Sequence, residues 1–282
     1  MDLLKIYSFE LCGDFASFRK PDTNSVYLSY NNPPHPALLG FLGAIVGYTG
    51  YLPKRKKDNN ALPIFYKNLS DIWLSFYPIY GAHAVFQKHM ITYNNYHGYG
   101  SNDGCFQITE QILIAPRWRI FLFDENDKHQ DLINRLRDNL TVFTPYLGKN
   151  EFRAEIRDFK EFSEVTEISE EAKTKKAMTF DSVVLLKKQE EHPIKKNLSK
   201  GMSFADLDIS SSHVSDDGYS IFENYPYALD QSLHYKLCLS VFTNWEIDPS
   251  ILRNGSRIFK IRDKDEGQQK ERVIQMFNGG LE

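Results

Sequence analysis

Apolar and polar positions alternate from Leu3 to Leu11, which predicts a first strand, and Lys20-Pro21 breaks the extended stretch that follows. Pro36 stands where the first turn of a helix tolerates proline, and the apolar run Ala37 to Tyr48 is predicted as that helix. Lys54 to Lys57 and Asp58 to Asn60 read as a polar loop. Ile72 to Tyr80, with Trp73, Phe76 and Tyr77, reads as a strand, and Ala84 to Tyr93 as a further extended stretch. Asn94 to Gly104 is a tip rich in Gly, Asn and Tyr. Beyond it Phe106, Ile108, Ile112 and Ile114 share one face of a strand, and Trp118 to Phe123 continues as strand. Asp131 to Leu140 is predicted as a helix with Leu132, Ile133, Leu136 and Leu140 on one side, ended by Pro145 and Gly148.

The order strand, helix, several strands, helix, strand predicts an α+β fold of the split βαβ, ferredoxin-like type over residues 1–175. The strands flanking the tip form a projecting hairpin near 82–114 in this reading. Later periodicity is weaker. Glu151 to Lys176 is charged with little apolar rhythm, while Phe180 to Leu186, Tyr219 to Phe222 and Tyr235 to Phe242 read as strands. They predict a smaller β-rich C-terminal region over 176–250. Residues 251–282 are expected as a polar tail, with Asn278-Gly279-Gly280 frayed.

Composition narrows the function classes. The 282 residues, 41% hydrophobic and 25% charged, describe a globular protein. The formal charge of −3 argues against a uniformly basic nucleic-acid coat but leaves room for a local basic groove. Three cysteines, Cys12, Cys105 and Cys238, are widely spaced and suggest a reducing compartment. The N-terminus lacks a signal-peptide pattern. The longest apolar run, Ala37 to Gly47, falls short of the roughly 20 residues of a membrane span. A cytoplasmic protein without a membrane partner is expected.

The candidate chemistry gathers between Phe18 and Tyr48. Gly40, Gly43 and Gly47 line one side of the predicted helix, with Ala37 and Ala44. Each helical glycine costs about 1 kcal/mol against alanine, so the stripe implies close approach of a strand, another helix or a ligand backbone. The preceding loop carries two cations, Arg19 and Lys20, the short polar groups of Thr23, Asn24, Ser25 and Ser29, and the rings of Tyr27 and Tyr30. Cations and hydroxyls hold phosphates, and rings stack on unpaired bases. By composition alone a solvated loop fits equally well. No GxxxxGK[ST] pattern is present, so this is not a nucleotide P-loop.

The ordered string Phe18-Arg19-Lys20-Pro21, Thr23-Asn24-Ser25, Leu28-Ser29-Tyr30, Pro33-Pro34 and Ala37-Leu38-Leu39-Gly40, running on to Gly43-Ala44-Ile45, closely resembles the N-terminal signature of a known family. It is that of the CRISPR-associated proteins numbered five, in their type I-B branch, members of the RAMP superfamily. The likeness is sharp over residues 3–50 and indistinct beyond 150. It implies a ferredoxin-like (RRM-related) domain with a thumb hairpin. It also implies a non-catalytic subunit of the Cascade surveillance complex that binds the five-prime handle of the crRNA and caps the backbone. The implied partners are crRNA, the Cascade backbone and large subunits and, through the complex, target DNA near the PAM; no cofactor is implied. Arg19, Lys20, Thr23, Asn24 and Ser25 would lie against the handle, and the glycine face of the helix would let chains pack closely beside it.

Other candidates are more scattered. Tyr93, Tyr96, His97 and Tyr99 make an aromatic tip that could wedge into single-stranded RNA, and the family's thumb presses into the guide in a comparable way. Lys54, Arg55, Arg117, Arg119 and Lys149 are further cations for RNA phosphates, Arg117 to Arg119 and Lys149 being expected on one sheet face. The family's type I-C branch cleaves repeat RNA without metal, using a tyrosine, a lysine and a histidine. Tyr48, Lys88 and His89 are the corresponding alternative here, with histidine moving the 2′-hydroxyl proton and lysine stabilising the phosphorane. His83, His89 and His97 have no metal-ligand spacing.

Overall fold

The structure, a computed structural model, describes residues 4–23, 25–50, 62–79, 85–96, 105–169, 177–187, 219–265 and 268–280. In chain order β1 (Ile6–Cys12), β2 (Phe15–Ala16) and β3 (Val26–Tyr27) precede α1 (His35–Val46) and α2 (Ile64–Leu69). Then come β4 (Trp73–Pro78), β5 (Lys88–Tyr96), β6 (Cys105–Ile114), β7 (Arg117–Phe123) and α3 (Gln130–Asp138). The fold is mixed α/β and dominated by strands.

Three of these strands form the central four-stranded sheet with β8 (Glu155–Phe162), in the order β4-β7-β1-β8, every pair antiparallel. Period-two alternation divides its residues. Phe9 and Leu11 of β1, Leu74 and Phe76 of β4, and Trp118 and Ile120 of β7 face a core shared with all three helices. Ile6, Phe121, Phe123 and Phe162 face the opposite side.

α1 is buried on most of its circumference, as its apolar run predicts. Pro34 and Pro36 set its start, and Gly47 caps its end rather than continuing the helix. The close approach implied by the glycine stripe is made within the chain by α2. A Cβ on Gly43 would lie 2.5 Å from the Phe65 Cβ. Phe65 therefore occupies the face that the resemblance assigned to packing between chains.

α3 ends earlier than expected. Asn139 in the left-handed conformation closes it, so Leu140 falls outside the apolar stripe and stands exposed. Val142 and Phe143, in the segment that follows, donate their N–H groups to Ile45 and Ala44 of α1.

The charged stretch after Glu151 is not featureless. β8 completes the sheet beside β1, and its register shifts between the partners of Ser8 and Glu10, where Asp158 takes a positive φ of 46°. Ile156 sits before the shift on the inner side, while Phe162 reaches the outer core after it.

The expected polar tail is also corrected. After β9 (Val165–Glu167), β10 (Met178–Thr179), β11 (Val184–Leu185), β12 (Ser220–Leu229), β13 (Tyr235–Thr243) and β14 (Glu246–Ile247), a hairpin of β15 (Arg257–Asp265) and β16 (Gln268–Met276) packs on the outer side of the central sheet. Phe259, Ile261, Ile274 and Met276 are fully buried there. Phe277 exchanges both backbone hydrogen bonds with Leu74, and Gly279 is buried against His35, where fraying was expected. Neither ring nitrogen of His35 has a hydrogen-bond partner among the described residues, and burial lowers its imidazole pKa to about 3. Elsewhere β12 pairs with β13 and β13 with β11. Among the described residues no helix is long and apolar enough to cross a membrane, and no group of three or more His, Cys, Asp or Glu is arranged to hold a metal ion.

Candidate functional site

Backbone pairing builds the opening loop. Lys20 donates its N–H to Leu28 at 2.8 Å and Tyr30 donates to Phe18 at 2.9 Å, so the segments run antiparallel. Thr23 stitches the turn between them. Its hydroxyl donates to the Lys20 carbonyl at 3.0 Å and accepts the Leu28 N–H at 3.2 Å. Ser29 accepts the Phe18 N–H and donates to the Tyr30 carbonyl. The loop is fastened to the β5–β6 hairpin as well, because β3 runs parallel to β6 and the Ser29 N–H reaches the Gln111 side chain.

Two cations stand on this frame. The Arg19 guanidinium lies 3.5 Å from the centre of the Tyr27 ring and makes one long hydrogen bond, 3.4 Å, to the Thr23 carbonyl. Among the described residues no carboxylate pairs with it. The Lys20 ammonium lies 5.1 Å from the Tyr30 ring centre and 3.5 Å from a carboxylate oxygen of Glu223 on β12. Tyr30 itself is buried, which pushes its hydroxyl well above the usual tyrosine range, so it supports Lys20 from beneath rather than offering a stacking face. Ser25 is exposed, and Asn24 lies outside the described residues.

A second group forms where the hairpin meets the segment after α3. Glu110, 4% exposed, accepts hydrogen bonds from Ser17 at 2.8 Å, Lys149 at 2.8 Å and Tyr93 at 3.3 Å. Lys149 also pairs with Glu151 at 3.0 Å and lies 5.0 Å from the Tyr93 ring centre. Burial disfavours the Lys149 ammonium, but the two carboxylates outweigh it and hold its pKa above the usual lysine range. Gly148 makes this approach possible: at its φ of 86° a Cβ would run into the Ser17 carbonyl.

Arg117 and Arg119 stand on the outer side of the central sheet. Arg117 binds both oxygens of Glu10, at 2.8 and 2.9 Å, and Arg119 binds Asp158 at 2.5 Å. Lys149, expected on the same sheet face, sits instead in the Glu110 group. Its place is set by the Gly148 turn rather than by the β7 strand.

Tyr48, Lys88 and His89 do not converge. Lys88 and His89 are neighbours on β5 and so point to opposite sides of it, while Tyr48 packs against the core just after α1. No hydrogen bond or ring contact joins the three. Burial lowers the pKa of the Lys88 ammonium, an effect that Glu223 opposes and Lys20 strengthens, which places Lys88 within electrostatic reach of the loop. Lys54, Arg55, His97 and Tyr99 lie outside the described residues; Tyr96 closes β5 opposite Cys105.

Sequence reasoning missed the two acids that organise these groups. Glu110 carried a readable signal, since it occupies the even-numbered apolar phase of β6 between Ile108 and Ile112. Glu223 carried none.

The family model described as CRISPR-associated protein (Cas_Cas5) matches residues 6–228. The chain belongs to this family. That span runs from β1 to β12 and so includes both groups described above. In fold the chain is similar to a CRISPR protein from Archaeoglobus fulgidus, at 10% identity, 96% of this chain, 99% of that one and a TM-score of 0.45. It is also similar to a chain of a CRISPR RNA-guided surveillance complex, at 11% identity, 96% and 88% coverage and a TM-score of 0.37. A third similar structure is that of a Cas protein, at 11% identity, 88% and 97% coverage and a TM-score of 0.38. No curated protein matches the chain.

Proposed function

We propose that this family member is the guide-RNA-binding subunit of a type I-B Cascade, holding the five-prime handle of the crRNA and capping the backbone beside the large subunit. The observation that carries the reading is the loop from Arg19 to Tyr30. Arg19 rests on an aromatic ring with no carboxylate partner among the described residues, and Lys20 beside it is only partly neutralised. Internal hydrogen bonds hold both residues in place, so little ordering cost remains when a phosphate binds. Ser25 offers a hydroxyl at the exposed turn. The β5–β6 hairpin, paired with β3, acts as the thumb beside this loop. Strand order β4-β7-β1-β8, with α1 between β1 and β4 and α3 between β7 and β8, supports a ferredoxin-like domain at the centre.

The test is purification of the chain with its neighbouring subunits. Guide RNA is expected to accompany them, and binding should weaken linearly in log affinity against log salt as phosphate counterions are exchanged. Recovery of the assembled subunits without RNA would defeat the reading.

A further inference from the structure

Glu223 lies on β12, in the C-terminal half of the chain, yet it bonds to the N-terminal loop. One carboxylate oxygen accepts the Asn31 N–H at 3.0 Å and faces the Lys20 ammonium at 3.5 Å. Its side chain is 8% exposed, and the second oxygen is buried with no hydrogen-bond partner among the described residues. The carboxylate therefore cannot touch a ligand itself. Lys20 can, because its side chain is 31% exposed.

A neutral amide oxygen would hold the Asn31 N–H without burying a charge, and burying a charge is costly. The negative charge is explained by the ammonium groups it faces. Lys20 is in contact with it and Lys88 is near enough to feel both. With Arg19 and the exposed Asp22 of the same loop counted, three cations stand against two carboxylates, which leaves a net positive charge at the loop surface. An ammonium has three donors. With Glu223 on one side and the Tyr30 ring on another, a donor of Lys20 remains for an outside anion. Asn31 extends the arrangement, since its side-chain oxygen accepts the Phe86 N–H at 3.2 Å, two residues before the start of β5.

We propose that Glu223 is a positioning residue for the RNA-facing loop, holding Lys20 from beneath so that its ammonium meets one RNA phosphate. The proposal rests on the guide-RNA reading above. Its test is a double-mutant cycle on the full chain, using a single-stranded RNA with a repeat-derived five-prime end over a series of salt concentrations. Glu223→Gln keeps the volume and the acceptor for Asn31, and Lys20→Met perturbs the exposed partner, so each variant checks the other against misfolding.

Each single change is expected to weaken binding by about tenfold, the scale of one charge-assisted contact. Each should also flatten the salt slope by about 0.7, one phosphate on a single strand. The double variant should bind no worse than Lys20→Met by more than about twofold, because Glu223 acts through Lys20. A merely structural Glu223 would leave the slope unchanged and add its loss in full. Wild-type binding with Glu223→Gln indifferent, or with additive losses, overturns this inference alone. A wild-type chain that binds no RNA overturns the function and this inference with it.

Discussion

The loop around Arg19 and the outer side of the central sheet both display arginines, yet the two are chemically opposite. Arg117 meets both oxygens of Glu10, and Arg119 closes on Asp158, so each guanidinium is already engaged by an anion of its own fold. Arg19 is held by an aromatic face and a backbone carbonyl, which fix its position and leave its charge. A cation's value for recognising a phosphate is therefore set by what else claims it. Counting basic residues could not separate the two regions.

Three experiments bear on this contrast. The largest expected effect is that of Arg19→Ala combined with Lys20→Ala. Loss of two charge-assisted phosphate contacts should lower RNA affinity by about a hundredfold while the chain stays folded, read by filter binding and a thermal melt.

Lys149 sharpens the contrast, being a cation beside the loop that two carboxylates claim. Lys149→Met should leave Glu110 buried without its cation and cost about 2 kcal/mol of stability. Because the folded-state pKa of Lys149 is raised, the pair's contribution is fully present below the ordinary lysine value of about 10.4 and is lost as pH rises through the folded-state value. The gap in melting temperature between wild type and variant should stay constant from neutral pH to about pH 9 and shrink in alkali beyond the lysine range.

The smallest effect on RNA binding is predicted for Arg117→Ala with Arg119→Ala. RNA affinity should change by less than about twofold, while stability falls by about 2 kcal/mol, since Glu10 is as buried as Glu110 and loses its cation. A loss of RNA binding as large as that of the loop variant would abolish the distinction between the regions.

What could be read from the chain follows the same physical logic. β1, α1 and β7 were legible because each is a largely apolar run buried on nearly all sides, with Pro36 marking where α1 begins. β8 was not, because the irregularity at Asp158 resets its alternation midway. The β15–β16 hairpin looked polar because apolar residues at alternate positions, such as Phe259 and Ile261, suffice to cover the sheet while charged residues intervene. In the site, Arg19 and Lys20 were visible as cations and Thr23 as a hydroxyl. That Tyr30 points inward, and that Thr23 spends its hydroxyl on the turn, depends on backbone pairing that composition does not encode. Glu223 could not be found from its neighbours, because its meaning lies in a contact with Asn31 across 192 positions.

That separation has a consequence for synthesis. Chains emerge from the ribosome N-terminus first, at about 5–20 residues per second. Lys20 and Asn31 are thus exposed well before their shared partner Glu223 on β12 has been translated. Any RNA meeting the nascent chain encounters a loop whose anchor does not yet exist, and the finished form of that loop arises only once β12, 192 positions beyond Asn31, has been made.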